Sequence, residues 1–264
     1  MTETYTLNTE NFNFEPYSDK GFSGKILLAV PKSADFPKLL IKSDNPSSAC
    51  TEFMYSRLAE LLRIPTPKAY LLNVAKKDRR RFGSPYVVGL EYLEGLRCFD
   101  KDEMRSSPML KKEYAGQFAL SAMFEQDDLL QMAMTADGHI VSFDFSEAFW
   151  LSDISTPTYL QAEKQLNYLL TRRLQASARR QSFMLSAAAS VVKEHFGLPK
   201  DAPVPSEYLD PLRAMYDLTE DDIEELLDTL DQVYSAMVSA YFEEYLVQLQ
   251  KKIAAYFETI GEKL

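Results

Sequence analysis

Cysteine and histidine, on which most zinc sites and many hydrolases depend, are scarce in this sequence. Its 264 residues include only Cys50, Cys98, His139 and His195 of these two types. Two cysteines are too few for a thiolate zinc site or a disulfide framework. Neither histidine belongs to an HExxH pair, and the chain contains no GxSxG nucleophile elbow. We therefore expect neither metal-thiolate chemistry nor histidine-based hydrolysis, and we interpret both histidines as structural.

The sequence also lacks a basic excess and any long apolar run. Lys and Arg number 29 against 39 Asp and Glu, which gives a formal net charge of −10. A nucleic-acid-binding protein needs a basic face for the phosphates, so we expect no direct nucleic-acid binding. No apolar run approaches the ~20 residues that span a bilayer. The first residues, MTETYTLNTENFNFEP, lack the layout of a signal peptide. We predict a cytoplasmic protein without membrane contact.

Hydrophobic residues make up 46% of the chain, enough for a sizeable core, and the pattern changes near the middle. Before residue 95, short apolar runs alternate with turn residues, which is typical of strands around one helix. The strands are predicted at residues 26–30, 39–42, 69–74 and 86–92, and the helix at residues 47–63. After residue 110 the spacing is mostly helical, apart from a hairpin predicted at residues 132–135 and 140–143. This pattern predicts an α+β fold with a β-rich first part and a mainly helical second part.

Two runs of like charge interrupt the pattern. Residues 76–81 read KKDRRR, and residues 220–231 read EDDIEELLDTLD. We interpret the first as a solvated loop rather than a contact for phosphate or a partner. The second begins a helix that Thr219 caps, where carboxylates complement the helix dipole. We interpret it as a solvated face rather than a docking site, and the helical pattern continues, broken once, to Gly261.

The order of a few polar residues indicates a chemistry. A glycine turn over residues 19–25 precedes the strand that ends in Lys42, the next helix carries Glu52, and the hairpin ends in Asp144. In this order they fit an ATP-dependent phosphotransferase, because phosphoryl transfer depends on positioning and on electrostatic stabilisation. The cofactor-binding residues within the turn are predicted to be Gly21, Ser23, Gly24 and Lys25.

The charged residues of this set would act through their charge, and the glycines would act because they have no side chain. Lys42 would bring a positive charge to the nucleotide phosphates, and Glu52 would hold its ammonium group in place. Backbone amides near Gly21 and Gly24 could approach the phosphates, because glycine has no side chain to block them. Asp144 would bind Mg²⁺, which prefers carboxylate oxygen. The alternative for Lys42 and Glu52 is an ordinary ion pair, and for Asp144 it is a helix or turn cap.

Two segments resemble HipA-like kinases. KLLIKSDNPSSACTEFMYSRLAELLRIPTPKAYLL resembles the family's strand lysine and the glutamate-bearing helix that follows it, and FEQDDLLQMAMTADGHIVSFDFSEAF resembles its catalytic loop and metal hairpin. The resemblance implies a protein-kinase-like two-lobed fold, with a small β-rich N-lobe over residues 1–93 and a helical C-lobe over residues 94–264. It also implies transfer of the ATP γ-phosphate to a Ser or Thr hydroxyl of a protein substrate. Glu91 and Leu93 would lie in the hinge, whose backbone contacts the adenine.

The catalytic loop departs from the family pattern. Gln131 lies thirteen residues before Asp144, where the family has the asparagine that binds the second Mg²⁺. Five residues before that, the family has its catalytic aspartate and this chain has Gln126. Asp127 would act as the base if this loop is one residue shorter, whereas Asp128 is two positions away. Gln131 keeps an amide oxygen as a metal ligand, on a side chain one methylene longer than that of asparagine.

Three functions stay open on these residues. The first is an active HipA-like serine/threonine kinase that uses ATP and Mg²⁺. The second is a pseudokinase that binds nucleotide or a protein partner without phosphoryl transfer, because the loop over residues 126–131 departs from the family. The third is a helical interaction protein that uses the Tyr-, Met- and Leu-rich pattern of residues 219–260. The resemblance also implies a separate antitoxin-like partner chain, as in some HipA systems.

Overall fold

The computed structural model describes most of the chain. It covers residues 5–17, 26–42, 46–83, 85–126, 130–145, 148–150, 174–231 and 236–264. Within these ranges the backbone alone is described at residues 42, 46–48, 150, 174–180, 182, 236 and 237. Strands dominate the first part and helices the second, so the predicted α+β class is confirmed. The lobe boundary after residue 93 stays a prediction.

Six strands of the first part form one sheet in the order β1-β5-β6-β4-β3-β2. They are β1 (Thr6–Asn8), β2 (Phe12–Pro16), β3 (Ile26–Pro31), β4 (Leu39–Lys42), β5 (Ala69–Asn73) and β6 (Tyr86–Glu91). The pair β1–β5 is parallel, and every other neighbouring pair is antiparallel. The four predicted strands are confirmed to within two residues. Strands β1 and β2 were not predicted, because their segments TLN and FNFEP are short and mostly polar.

Both faces of this sheet are covered by apolar packing. Leu71 and Val88 belong to the large core that also includes the first helix, whereas Leu72 and Val87, their neighbours in the chain, belong to a second, smaller core. This alternation follows from the two-residue period of a strand. A strand buried on both faces reads as a continuous apolar run, which explains why the YVVGL segment of β6 indicates a strand.

The centre of the sheet requires glycine at one position. Gly89 of β6 lies between β4 and β5, opposite Ile41 and Tyr70. A Cβ atom added to Gly89 would lie 2.9 Å from Cδ1 of Leu39 and 3.0 Å from Cδ1 of Leu72. Carbon atoms do not pack that closely, so the absent side chain allows the leucines of both neighbouring strands to meet here.

Helix α1 (Pro46–Leu61) lies between the sheet and the helical part of the chain. Every residue from 49 to 59 is buried, which a helix with only one covered face would not show. Phe53 and Leu58 are completely buried and belong to the same core as the strands and the later helices. The helix ends at Leu61, two residues earlier than predicted, and Arg63 then adopts a left-handed φ of 56° before Pro65.

The second part is built around helix α4 (Pro108–Met123), which contacts α5, α6 and β9. Ser107 accepts a hydrogen bond from the Leu110 N–H and caps α4, so the helix begins three residues before the predicted start at 111. The other elements are α2 (Arg79–Phe82), β7 (Arg97–Cys98), α3 (Lys101–Ser106), β8 (Gln131–Met134), β9 (Ile140–Phe143), α5 (Leu174–His195), α6 (Ser206–Tyr216), α7 (Glu220–Asp231) and α8 (Ala236–Ile260).

Several local predictions for the second part are confirmed. The hairpin forms from β8 and β9, and β7 joins it in a three-stranded sheet. The helical pattern predicted after Thr219 is present in α7 and α8, and residues 232–235 between them lie outside the described residues. Thr219 and Asp222 form the predicted capping box, with the Thr219 N–H donating to Asp222 Oδ2 at 2.9 Å. The residue spacing also predicts two helices over residues 159–196, and the first of these predictions falls largely on residues 159–173, outside the described residues. None of the helices in the described ranges is long and apolar enough to cross a membrane.

The two histidines fasten different elements to adjacent residues of α4. His139, in the hairpin, pairs with Glu113 at 2.5 Å between Nδ1 and Oε1, and Glu113 also accepts the Ile140 N–H at 2.9 Å. His195, at the end of α5, hydrogen-bonds the Tyr114 hydroxyl through Nδ1. The bond to Glu113 raises the pKa of His139, whereas burial lowers the pKa of His195. Both histidines are structural in this fold, as predicted.

The opposite pKa shifts predict opposite effects of pH on stability. The folded protein holds the His139 proton more tightly than the unfolded chain, so this contribution is present below pH ~6.5 and is lost as the pH rises through the raised pKa. At His195 the folded protein disfavours the proton, so stability falls as the pH drops below ~6.5.

Proton NMR titration of the two imidazoles should resolve both shifts, with His139→Gln and His195→Gln assigning the signals. Urea unfolding of His139→Gln should lose the stability decline on the alkaline side, and that of His195→Gln the decline on the acidic side. Two imidazoles that titrate together near the ordinary value would contradict both shifts.

Candidate functional site

The predicted phosphate-binding pair comes from the sheet and its covering helix. Lys42 is the last residue of β4, where it pairs with Ile26 of β3. Glu52 lies in the second turn of α1, and its side chain is completely buried. A buried carboxylate is retained in proteins together with a cationic or hydrogen-bonding partner, because its desolvation is costly. The side chain of Lys42 is outside the described residues, so its pairing with Glu52 stays a prediction.

The segment predicted as the hinge leaves the sheet at the end of β6. The Glu91 N–H donates to the Lys68 carbonyl, and the Tyr92 N–H donates to the Lys38 carbonyl, both at 2.8 Å. Leu93 is the first residue beyond these two bonds and is partly buried. Its N–H donates to no backbone carbonyl among the described residues. The chain thus enters its second part with the strand donors satisfied and with Leu93 as the next available donor.

The two predicted metal ligands meet at one end of the β8–β9 hairpin. Gln131 pairs with Phe143 across the hairpin, and Asp144 follows directly. The Gln131 Nε2 donates to Asp144 Oδ2 at 3.4 Å, with Gln131 exposed and Asp144 partly buried. In this orientation the amide nitrogen of Gln131 faces the carboxylate. To share a cation with Asp144, the amide would have to turn over so that Oε1 points inward.

Asp144 is held in a backbone conformation that L-residues avoid. Its φ is 73°, and Glu125 and Phe149 also have positive φ values of 53° and 59°. The left-handed region costs a non-glycine residue of the order of 1–2 kcal/mol, so the surrounding structure must hold these residues there. Three of the four such non-glycine residues in the described part of the chain thus lie beside the predicted catalytic loop and metal hairpin.

Gln126 supplies one of the bonds that hold Asp144. Its Nε2 donates to the Asp144 backbone carbonyl at 2.8 Å, and its side chain is 5% exposed. The Gln126 Oε1 is buried and has no hydrogen-bond partner among the described residues. In the sequence, Gln126 stands out only as a departure from the family aspartate. The structure shows that its amide joins the loop to the metal hairpin, a role for which a glutamine has the necessary donor and a carboxylate does not.

An aromatic stack joins helix α1 to the residue after Asp144. The Tyr55 and Phe145 rings lie parallel, with centroids 3.7 Å apart and an interplanar angle of 9°. Phe124 packs edge-on against Tyr55 at 5.7 Å, and Phe149 packs on Phe124 at 4.8 Å. The Phe149 N–H also donates to the Phe124 carbonyl at 2.7 Å. Sequence reasoning missed this stack, for which the only signal was the 12% aromatic content.

The stack continues into the last helix through two buried hydroxyl groups. The Tyr241 hydroxyl donates to the Phe149 carbonyl, and the Tyr245 hydroxyl donates to the Met123 carbonyl, each at 2.8 Å. The Tyr55 hydroxyl is also buried, finds no hydrogen-bond partner among the described residues, and has its pKa raised by that burial. The strained loop is therefore fixed to α1 on one side and to α8 on the other.

Several predicted site residues lie outside the described residues. These are the turn residues Gly21, Ser23, Gly24 and Lys25 and the candidate base Asp127, together with Asp128. Their roles stay predictions. What the structure brings together is Gln131 with Asp144, and Asp144 with α1 through the stack of Tyr55 on Phe145.

The described donors at the hairpin are compatible with a magnesium–nucleotide complex. In the described ranges no group of three or more His, Cys, Asp or Glu side chains could hold a metal. Mg²⁺ is commonly bound through one or two protein oxygens, with phosphate oxygens and water completing its six ligands. Asp144 and a rotated Gln131 amide match that requirement.

Comparison with solved structures shows a kinase-like fold. The crystal structure of the Helicobacter pylori proinflammatory kinase CtkA aligns with a TM-score of 0.60 at 12% identity, covering 98% of this chain and 100% of that chain. HipA of Shewanella oneidensis MR-1, solved with HipB and operator DNA, aligns with a TM-score of 0.43 at 11% identity, covering 96% and 65%. No family model and no curated protein matches the chain. The predicted kinase-like fold is confirmed by the CtkA alignment, and at such identities the likeness extends to the fold alone.

Because Asp144 has a positive φ, we predict that glycine at this position is more stable than alanine, which is the reverse of the usual order. Asp144→Gly and Asp144→Ala remove the same carboxylate, but only alanine keeps the cost of a positive φ. We expect the glycine variant to be more stable than the alanine variant by about 0.5–1 kcal/mol in urea unfolding, after the greater entropy of unfolded glycine is deducted. The matched pair Asn13→Gly and Asn13→Ala, at an exposed position of strand β2, should show the reverse order. Alanine more stable than glycine at both positions would contradict the strain.

Proposed function

We propose that this chain is a protein kinase that transfers the γ-phosphate of ATP to a Ser or Thr hydroxyl, with Mg²⁺ as its metal. One observation carries the proposal: the stack of Tyr55 on Phe145 holds α1 against the end of the metal hairpin. Glu52 lies one turn before Tyr55 on the same side of α1, and Asp144 directly precedes Phe145. The proposed phosphate-aligning and metal-binding residues thus belong to one rigid junction.

Each residue of this junction has a role that its chemistry allows. Magnesium ATP supplies the phosphoryl group when it is bound. Lys42 would neutralise phosphate charge, and buried Glu52 would aim the lysine, whose flexible side chain is otherwise poorly directed. Asp144 and the Gln131 amide oxygen would hold the cation. The Leu93 N–H, which follows two satisfied donors, would donate a hydrogen bond to the adenine.

The acceptor hydroxyl needs a base, and we assign that role to Asp127. Gln126 is buried, and its amide donates to the Asp144 carbonyl, so its side chain holds the loop against the hairpin. A glutamine also cannot accept a proton at neutral pH. Asp127 would accept the proton of the serine or threonine hydroxyl as the hydroxyl oxygen attacks the γ-phosphorus and the bond from that phosphorus to the oxygen of the leaving ADP breaks. Proton transfer of this kind contributes about 10²–10⁴-fold in rate.

The second candidate function is a pseudokinase that binds nucleotide or a partner without transferring phosphate. The orientation of Gln131 favours it, because the amide nitrogen and not the oxygen faces Asp144. A glutamine that keeps this orientation would offer no ligand oxygen to a cation shared with Asp144. The separate antitoxin-like partner, implied by the resemblance to HipA-like kinases, fits either function and stays a proposal.

Calorimetric titration with ATP, with and without Mg²⁺, tests the nucleotide site. We expect Mg²⁺-dependent binding that Lys42→Ala and Asp144→Asn each weaken about tenfold or more, because charge-assisted contacts contribute about 1.5–3 kcal/mol. Lys77→Ala and Asp137→Asn are matched controls, since Lys77 is an exposed residue after strand β5 of the same sheet and Asp137 lies at the far end of the same hairpin. Binding that no variant changes, or no binding at all, would contradict the site.

Phosphate transfer from γ-labelled ATP, to the protein itself and to casein, tests the base. Asp127→Asn should reduce transfer about 10²–10⁴-fold while ATP binding stays unchanged. Asp128→Asn serves as the neighbouring control and should retain most of the activity. Unchanged transfer in Asp127→Asn would eliminate this residue as the base. Wild-type protein that binds magnesium ATP tightly but labels no acceptor would establish the pseudokinase instead.

A further inference from the structure

A groove runs between helices α7 and α8 on the second part of the chain. We call it the α7–α8 groove; it has a volume of about 430 Å³. Its apolar base consists of Ile223 and Leu227 from α7 and Val247 from α8. Ile223 and Leu227 are anchored in the core, and Val247 is only partly buried. The accessible apolar surface of the base therefore comes mainly from Val247, because Ile223 and Leu227 are only 6% and 7% exposed.

The margins of the groove are acidic. The carboxylates are those of Glu220, Glu224, Asp228 and Asp231 on α7 and Glu243 on α8. All five residues are exposed, and none forms an ion pair with a side chain in the described ranges. Steps of four, four and three residues place the α7 carboxylates on one face of the helix. They repel one another, so the stripe does not stabilise the helix that carries it.

The positions of Asp228 and Asp231 argue against a merely solvated, dipole-compensating face. Glu220 lies in the first turn of α7, where a carboxylate complements the helix dipole. Asp228 and Asp231 lie in its last turn, where the dipole presents negative charge and favours cations instead. Neither capping nor the dipole accounts for these two carboxylates. Asp231 accepts a hydrogen bond from the Ser239 hydroxyl of α8, and Asp228 would pair with a cationic partner lying along the groove.

We propose that the α7–α8 groove binds a cationic amphipathic helix of a partner protein. The carboxylates extend from residue 220 to residue 231, which is about 16 Å at 1.5 Å per residue, or three helical turns. An apolar stripe on the partner would lie on Ile223, Leu227 and Val247, and Lys or Arg residues on both sides would face the carboxylates. Such residues also suit the margins because their long apolar stems can lie over the base while their charges stay solvated.

Other ligands fit the groove less well. A nucleic acid would meet five carboxylates and be repelled. A metal ion is also a poorer fit, because the described part of the chain contains no group of three or more His, Cys, Asp or Glu side chains that could hold one. Because α7 also contacts α1, which carries Glu52, the partner would bind beside the proposed phosphotransfer site. The groove shares no lining residue with that site. The proposal therefore holds for an active kinase and for a pseudokinase alike.

The test uses the full chain and a fluorescein-labelled peptide of eighteen Leu and Lys residues arranged as an amphipathic helix. A second peptide has the same composition, scrambled so that no apolar stripe forms. Fluorescence anisotropy should show that the chain binds the amphipathic peptide at least tenfold more tightly than the scrambled one. The affinity should fall as salt rises, because screening weakens the contacts between charges.

Two double variants with equal charge change separate the groove from general electrostatic attraction. Glu224→Lys with Asp228→Lys, on the groove, should weaken binding of the amphipathic peptide at least tenfold. Asp221→Lys with Glu225→Lys, on exposed positions of α7 outside the groove lining, should change it less than threefold. Val247→Asp should weaken binding through the apolar base. Far-UV circular dichroism and thermal unfolding of each variant confirm that it is folded.

Three results would overturn the proposal. Equal losses in both double variants, or equal affinity for both peptides, would mean that net charge alone attracts the probe. Sedimentation of the wild type that shows a dimer, lost in the groove variant, together with no peptide binding, would assign the groove to a second copy of this chain instead.

Discussion

The parallel stack of Tyr55 on Phe145 is the contact on which the arrangement of the candidate site depends. It joins helix α1, which is enclosed by the sheet on one side and by helices on the other, to the residue that follows Asp144. Because both rings are almost completely buried, separating them would expose a large apolar area to water. The distance between the sheet, which carries Lys42, and the hairpin, which carries Asp144, is therefore set by core packing rather than by a nucleotide.

The same junction holds the backbone conformations that the site needs. Asp144 and Phe149 have positive φ values, and each is fastened by hydrogen bonds from elsewhere: Gln126 to the Asp144 carbonyl, and Tyr241 to the Phe149 carbonyl. Strained residues persist only where such bonds over-determine them. A junction so constrained would meet a nucleotide with its carboxylate already in position, which lowers the conformational entropy lost on binding.

Charge is distributed unevenly between the two proposed binding surfaces. The proposed phosphotransfer site combines Lys42 with a few carboxylates. The described lining of the α7–α8 groove, in contrast, contains five carboxylates and no Lys, Arg or His residue. The sequence shows the excess of acidic residues, but it does not show that four of those on α7 lie on the groove side and border apolar surface from α8. Because the two helices lie side by side, the acidic residues and the apolar residues form one surface, which is complementary to a cationic amphipathic helix.

The sequence by itself determined the local elements. Short apolar runs between turn residues marked four strands, the Asp137-Gly138 pair marked the hairpin, and Thr219 with Asp222 marked a helix start, since each signal depends on neighbours in the chain. The order of Lys42, Glu52 and Asp144 was enough to suggest a kinase. Only the tertiary structure decided that Tyr55 meets Phe145, that Gln126 holds Asp144, and that α7 and α8 enclose a groove. These contacts join residues far apart in the chain, and periodicity identifies a buried face without identifying what covers it.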